Sequence, residues 1–505
     1  MNTNLPVYIG LIIALFLVRL PSFFFSVFDW DESTLILVGQ SILNGDIPYV
    51  DAWEIKPPFS FSIYALFIIL FGKSIISIRL GGFLCIYIAS IITYKIGELI
   101  HNKTTGIISA LFLIVFVSLG PSGLSTMTEH ILLIPVSFIF YLLLTTDINK
   151  KLAFITGVTL GIAILIRTNM VFESFAVCMI LLSGLLNPSI KFFDRIKRCF
   201  ILIMGISTPI VLTVYYYFFN NLLDLFIKTN ITTIFTYIGI EEAPFLNKVN
   251  VLFYNIGQNI RINLLLWTTF FFGTIYLIFL KKFKHKFLLI AMIIFTIQIL
   301  SLFIIGQPFG HHYFITSMPI MCLISGVALS QWLSENKARG KIYYITIAFI
   351  VAGLFYSLQG NVITHYKEIS SRLIQKQPLL NDSCYKIVRF LKNENVKDQY
   401  IYMVNSCQIV YWLTENRYPT KYVHPSNLLL KEYMLKIIDG PNATKEKELL
   451  KILSKSPQFI IWKQTLWPEQ LEEFKKILDN EIQANYKLIK TIDNYYYLYK
   501  RDSPK

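Results

Sequence analysis

The chain has 505 residues, 54% hydrophobic and 15% charged, with a mean hydropathy of +0.55 and a formal net charge of +15. Soluble proteins carry roughly 25% charged residues, so a soluble enzyme of this length and a disordered or fibrous chain are excluded. The charge is uneven: residues 1–357 and 358–505 hold 38 and 39 charged side chains respectively, which separates a lipid-dissolved part from a water-dissolved tail.

In chain order, apolar runs long enough to cross about 30 Å of hydrocarbon, roughly 20 residues each, predict spans near 5–27, 78–99, 106–120, 129–146, 152–168, 170–186, 199–219, 260–280, 287–305, 312–333 and 341–357. That is a polytopic α-helical membrane protein with about eleven transmembrane helices, within a range of nine to thirteen. The first run lacks a basic leader and a small-residue cleavage site, so it is expected to stay as a span. Residues 59–71 are apolar but too few to cross, and read as an interfacial or re-entrant helix.

Basic residues orient the spans. Every second loop carries Lys103, Lys150, Lys151, Lys191, Arg195, Lys197, Arg198, Lys281, Lys282, Lys284, Lys286, Lys337, Arg339 and Lys341, against only Asp147, Asp194 and Glu335. These loops are expected in the cytoplasm, with the N-terminus. The excess charge thus reports orientation and not a nucleic-acid partner. The first outward loop, 28–77, holds Asp29, Asp31, Glu32, Asp46, Asp51 and Glu54. An odd number of spans puts the tail, 358–505, outside as well, behind a transmembrane catalytic domain over 1–357. The tail reads as α/β: "YIYMVNSCQIVYWLT" and "QFIIWK" as buried strands, "NDSCYKIVRFLKNE" and "PEQLEEFKKILDNEI" as helices, and "NYYYLYKR" as a last strand. Cys384 and Cys407 lie in the tail and are able to pair in an oxidising compartment.

Charges at span ends are the candidates for chemistry, since ionisable groups near lipid are costly. Asp31 and Glu32 follow the first span. Lys56 precedes Pro57 and Pro58, which fix an extended turn and hold an ammonium at head-group depth, suited to a lipid phosphate. Glu129 and His130 open the fourth span, Arg167 closes the fifth, Arg79 opens the second, Arg261 stands at an outer span end, and His311, His312 and Tyr313 open the tenth. The plain alternative is a set of interfacial anchors and helix pairs. Convergence of these groups with Asp31 on one face favours a site.

These residues carry a resemblance. Asp31-Glu32, "ILNGDIPYVD", "KPP" at Lys56–Pro58, "LFGKS" with Arg79 and Leu80 following, Glu129, "GVTLGIAILIRTN" and "HHYFITSMPIMCL" stand in an order that resembles the GT-C membrane glycosyltransferases of the protein O-mannosyltransferase and aminoarabinose-transferase superfamily, bacterial type. The resemblance covers most of residues 25–335. It implies an inverting transfer of a hexosyl or pentosyl group from a polyprenyl-phosphate donor to a glycolipid, polysaccharide or protein acceptor, at the outer face of the cell membrane. Asp31 matches the catalytic acid position and Glu32 the orienting residue beside it. Lys56 matches the phosphate-contacting base, and Glu129 the second acid, facing acceptor or metal. Arg167, His312 and Tyr313 complete a phosphate pocket; Arg261 joins on charge alone, and His130 is grouped with Glu129 at the acceptor or second acidic site, its own role unassigned. No metal-ligand spacing appears, no cofactor is required, and the superfamily leaves a divalent metal open.

Two other readings compete. A transporter or flippase of lipid-linked sugars suits intramembrane charge, but has little use for a large outward tail and usually shows paired halves. An O-antigen ligase or polymerase carries its large outward loop between late spans, whereas here the soluble mass is terminal.

Overall fold

A computed structural model describes residues 4–239, 245–279, 285–305, 311–465 and 468–502. Lys281, Lys282 and Lys284 of the basic loops, the last residue of the predicted span 260–280, and the side chain of His311 lie outside the described residues.

One compact unit comprises Met1–Phe23, Arg79–Tyr216 and Ile238–Ser371. Each of the eleven predicted spans falls on helix: Leu5–Arg19, Ile75–Ile100, Lys103–Phe116, Thr128–Thr145, Lys150–Ile166, Met170–Ser183, Phe192–Phe219, Leu264–Phe279, His285–Ile305, Met318–Asn336 and Lys341–Leu358. Among the described residues, seven helices are long and apolar enough to cross a membrane, or eight if Phe245–Ile262 and Leu264–Phe279, bent by 105°, form one span. Lys103–Phe116, Lys150–Ile166 and Met170–Ser183 have 14, 17 and 14 residues. At 1.5 Å per residue these reach about 21–26 Å, short of the hydrocarbon thickness. Asparagine caps start two of them: Asn102 accepts from the Thr105 N–H and Asn149 from the Leu152 N–H, each at 2.9 Å.

Lipid gives helices no hydrophobic reason to associate, so close backbone contact matters. Gly157 and Gly161 form a small-xxx-small stripe on Lys150–Ile166. A Cβ on Gly157 would stand 2.2 Å from the Leu202 carbonyl oxygen, and one on Gly161 2.4 Å from that of Ile206. The two helices therefore touch backbone to backbone.

The second unit comprises Phe24–Ile78, Tyr217–Tyr237 and Arg372–Lys505, so the acidic loop 28–77 packs with the tail. Its loop helices are Trp30–Leu43 and Pro58–Phe71. The second is the helix expected at 59–71; Pro57 is extended (ψ 156°) and Pro58 begins the first turn. A Cβ on Gly39 would lie 2.9 Å from the Tyr64 Cβ, so the two helices cross closely.

The tail holds four strands, β1 (Ile401–Met403), β2 (Phe459–Lys463), β3 (Tyr486–Ile492) and β4 (Tyr496–Arg501), in the order β1-β2-β4-β3. β1 and β2 are parallel; β4 runs antiparallel to both β2 and β3. The expected strand over 400–414 is corrected: only Ile401–Met403 is strand, and Ile409–Thr414 is helix. The apolar run is broken between them by Cys407 at φ 60°, which ends an extended chain. β3 was not foreseen, because its polar, Lys-rich face hides the alternation. It joins β4 through Asp493, Asn494 and Tyr495; Asp493 and Asn494 take positive φ (52° and 61°) in a tight turn that the Tyr495 N–H closes on the Ile492 carbonyl at 3.3 Å. Cys384 and Cys407 form a disulfide with Cα atoms 5.6 Å apart, a closure worth roughly 3 kcal/mol for a loop of that size.

Candidate active site

The second unit carries the first cluster. Asp29 caps Trp30–Leu43, its carboxylate accepting from the Asp31 N–H at 3.0 Å. Asp31 and Glu32 thus lie in the first turn, where the positive end of the helix dipole favours acids. Glu32 is fully buried and accepts from the Phe28 N–H at 3.4 Å; it braces the chain entering the helix. Asp31 stays 28% exposed at its side chain.

Three buried groups hold the loop that bears Lys56. Tyr49, at a strained φ of 82°, donates its hydroxyl to the Lys56 carbonyl at 2.9 Å. The Trp53 N–H donates to the Lys421 carbonyl at 2.7 Å and its indole N–H to Thr229 Oγ1 at 3.1 Å. Lys56 Nζ then meets Asp31 Oδ2 at 2.8 Å and Glu54 Oε1 at 3.7 Å. Glu54, 2% exposed, accepts from Asn427 Nδ2 at 2.9 Å.

The tail completes this cluster. His424 Nε2 lies 3.1 Å from Asp31 Oδ1. Burial pushes the Asp31 carboxyl up, but Lys56 and His424 together outweigh it and hold the group well below the usual carboxylate range. Lys431 stands over the Tyr237 ring at 5.2 Å; burial lowers its ammonium from the ordinary lysine value, against the pull of Glu54 and Asp31.

A cavity of about 930 Å³ opens further along Trp30–Leu43 in the same unit. It is lined by Gln40, Asn44, Trp412, Tyr418 and Lys451 among others, and by Asp46 and Asp51 of the acidic loop, but by none of the candidate site residues.

The first unit carries the second cluster, and it joins residues from three separate stretches of chain. Glu129, 1% exposed, pairs with Arg167 and lies 3.7 Å from His312 Nε2. The Arg167 guanidinium sits 4.0 Å from the Tyr313 ring centroid, a cation–π stack. Thr128 Oγ1 donates to Glu129 Oε2 at 3.0 Å. His130 is engaged at both ring nitrogens by backbone: Nδ1 accepts from the Met127 N–H at 3.1 Å and Nε2 meets the Val117 carbonyl at 2.9 Å. It caps a helix start. Arg79 is buried and donates to the Ser22 carbonyl at 3.1 Å. Arg261 is exposed in the last turn of Phe245–Ile262. Among the described residues no three His, Cys, Asp or Glu side chains gather as a metal-ligand set.

Residues 55–217 match the family model of dolichyl-phosphate-mannose-protein mannosyltransferase. A structure of ArnT from Cupriavidus metallidurans bound to undecaprenyl phosphate is similar over 99% of this chain and 98% of that chain, with a TM-score of 0.59 at 11% identity. The chain has the GT-C fold. The apo ArnT structure from the same organism agrees, at TM-score 0.58 and 12% identity over 98% of this chain and 97% of that one. No curated protein matched. The GT-C fold accounts for a multi-pass helical part with a small sheet near the C-terminus.

Sequence reasoning did not find His424, Asn427 or Lys431. Each lies in the charged tail, where a polar side chain costs nothing and so gives no signal. Glu54 was visible only as one acid of the loop.

Proposed function

We propose that the protein is an inverting glycosyltransferase that moves a sugar from a polyprenyl-phosphate donor to an acceptor hydroxyl or similar group outside the cytoplasm. The observation that carries this reading is the Asp31–Lys56 pair at 2.8 Å, on a fold like that of a protein crystallised with undecaprenyl phosphate. A carboxylate held ionised beside an ammonium supplies the two things the reaction asks for. Asp31 takes the acceptor proton as the acceptor oxygen attacks the anomeric carbon. The bond from that carbon to the phosphate oxygen breaks, and the polyprenyl phosphate leaves with its charge met by Lys56. Phosphate is already a good leaving group, so the two-carboxylate scheme of glycoside hydrolysis reduces to one base.

Glu32 orients the helix start that carries Asp31. Lys431 adds cationic charge on the same cluster. Arg167, His312 and Tyr313 are assigned to phosphate binding and Glu129 to the acceptor or a metal ion; Arg261 is a weaker phosphate candidate, on charge alone. His130 serves the helix cap. The membrane is the cell membrane, with the N-terminus in the cytoplasm and residues 358–505 outside it. The Cys384–Cys407 disulfide supports that placement, since such bonds persist in oxidising compartments. The acceptor is a glycolipid, polysaccharide or protein; mass spectrometry of surface glycans and lipids from cells with and without the gene identifies it together with the sugar.

The deciding test is Asp31→Asn. It removes the base and keeps the shape, so sugar transfer is expected to stop while membrane insertion is normal. Transfer at the wild-type rate would exclude Asp31 as base.

A further inference from the structure

The geometry assigns His424 as a positioning residue for Asp31: the tail supplies an imidazole N–H that fixes the carboxylate oxygen opposite the one held by Lys56. The inference rests on the reading of Asp31 as base, and it gives residues 358–505 a part in the reaction.

The tautomer follows from the hydrogen bonds. His424 caps the short helix Pro425–Leu429, and its Nδ1 accepts from the Ser426 N–H at 3.3 Å. A nitrogen that accepts from a backbone N–H carries no proton, so the ring proton sits on Nε2. The Ser426 hydroxyl, 2.8 Å from the same Nδ1, then donates to it as well. Nε2–H points at Asp31 Oδ1 at 3.1 Å, while Lys56 Nζ takes Oδ2 at 2.8 Å. Each carboxylate oxygen therefore has one fixed donor, and the two set the plane of the group.

The imidazole is held too. Its side chain is only 9% exposed, and the Trp30 ring packs edge-on at 6.3 Å between centroids. Three residues on, Asn427 donates to Glu54, which flanks Lys56. One short segment of the tail thus braces both members of the ion pair.

His424 does not itself serve as the base, because both ring nitrogens are committed. Its effect runs through Asp31. Lys56 and His424 touch that carboxylate, and Lys431 acts on it through space; Glu54 stands 3.7 Å from Lys56, and Asp29 and Glu32 lie in or beside its own helix turn. Losing the His424 donor leaves Lys56 as the main stabiliser of the charged form, so the carboxyl protonates at higher pH.

The test uses the full chain in membranes from cells lacking the chromosomal copy, with their own donor and acceptor pools. Mass spectrometry follows the rate at which the endogenous acceptor gains the sugar from about pH 2.5 to 8, a window that reaches below the ordinary carboxylate range. H424A is expected to lose about tenfold or more in rate at neutral pH, the scale of one hydrogen bond to a charged group, and to move the acid limb of the profile to higher pH. H424Q places an amide N–H at a similar reach and is expected to restore most of the rate and return the limb towards the wild type. Wild-type rate and profile in H424A, with D31N inactive, overturn the inference and leave the Asp31 reading standing. H424Q as defective as H424A, with neither profile moved, assigns His424 to packing alone and also overturns it. An active D31N would instead remove the Asp31 reading.

Discussion

Lys56 shows what a single side chain is asked to do. It is 18% exposed, pairs with Asp31, and stands 3.7 Å from Glu54. In the proposed reaction, replacing it with Ala removes one charge-assisted contact to the donor phosphate, worth about 1.5–3 kcal/mol. Titration of K56A with undecaprenyl phosphate is expected to show affinity weakened by roughly tenfold to a hundredfold or more; unchanged affinity would take Lys56 out of the phosphate site. The same change has a pH signature. Asp31 has a depressed carboxyl, so its ionised form, and the stability of its ion pair, are present above the ordinary carboxylate range and lost only as pH falls through the depressed value. In K56A the acid limb of activity is expected to move to higher pH. Legibility at this scale followed cost. Glu129, Arg167, His312 and Tyr313 sit where charge is expensive, and that expense marked them in the sequence. His424 is an ordinary tail histidine until its partner is seen, 393 residues away.

Apolar length made most helices of the first unit readable one by one, though not Phe245–Ile262, whose interspersed Asn, Gln and Lys break the apolar run, and Pro57-Pro58 made the start of Pro58–Phe71 readable. Hydropathy does not say which helices touch. The Gly157–Gly161 stripe does, and its meaning emerged only with the Leu202 and Ile206 carbonyls against it. A side chain at Gly157 must push two backbones apart, so Gly157→Leu is expected to cost several kcal/mol, in the range of severe overpacking. Thermal unfolding of the purified protein in detergent checks this; a melting temperature equal to the wild type would show that the helices can separate freely. The tail was less legible. β1, β2 and β4 were found from apolar runs, but Ile409–Thr414 looked like strand because its residues favour β structure. Tertiary context made it a helix packed in the unit, behind the turn at Cys407.

For the whole molecule, the sequence separated lipid-dissolved from water-dissolved chain by charge density. It did not join the first outward loop to the tail, because composition carries no record of which distant segments pack together. The second unit is built from three such segments. Topology is the prediction that belongs here. An extracytoplasmic-activated reporter fused after residue 505 is expected to be active, and one placed in the connection between Met170–Ser183 and Phe192–Phe219 inactive. The reverse pattern would invert the orientation drawn from the basic loops.

The separation of Asp31 from His424 also sets a clock. At roughly 5–20 residues per second, about 20 s to more than a minute passes between the synthesis of the proposed base and the arrival of the imidazole that orients it. During that interval the loop 28–77 has already left the ribosome with Asp31 and Lys56 aboard. The newborn chain thus has a built-in delay before its chemistry is competent, and the site closes only after nearly every span has been threaded.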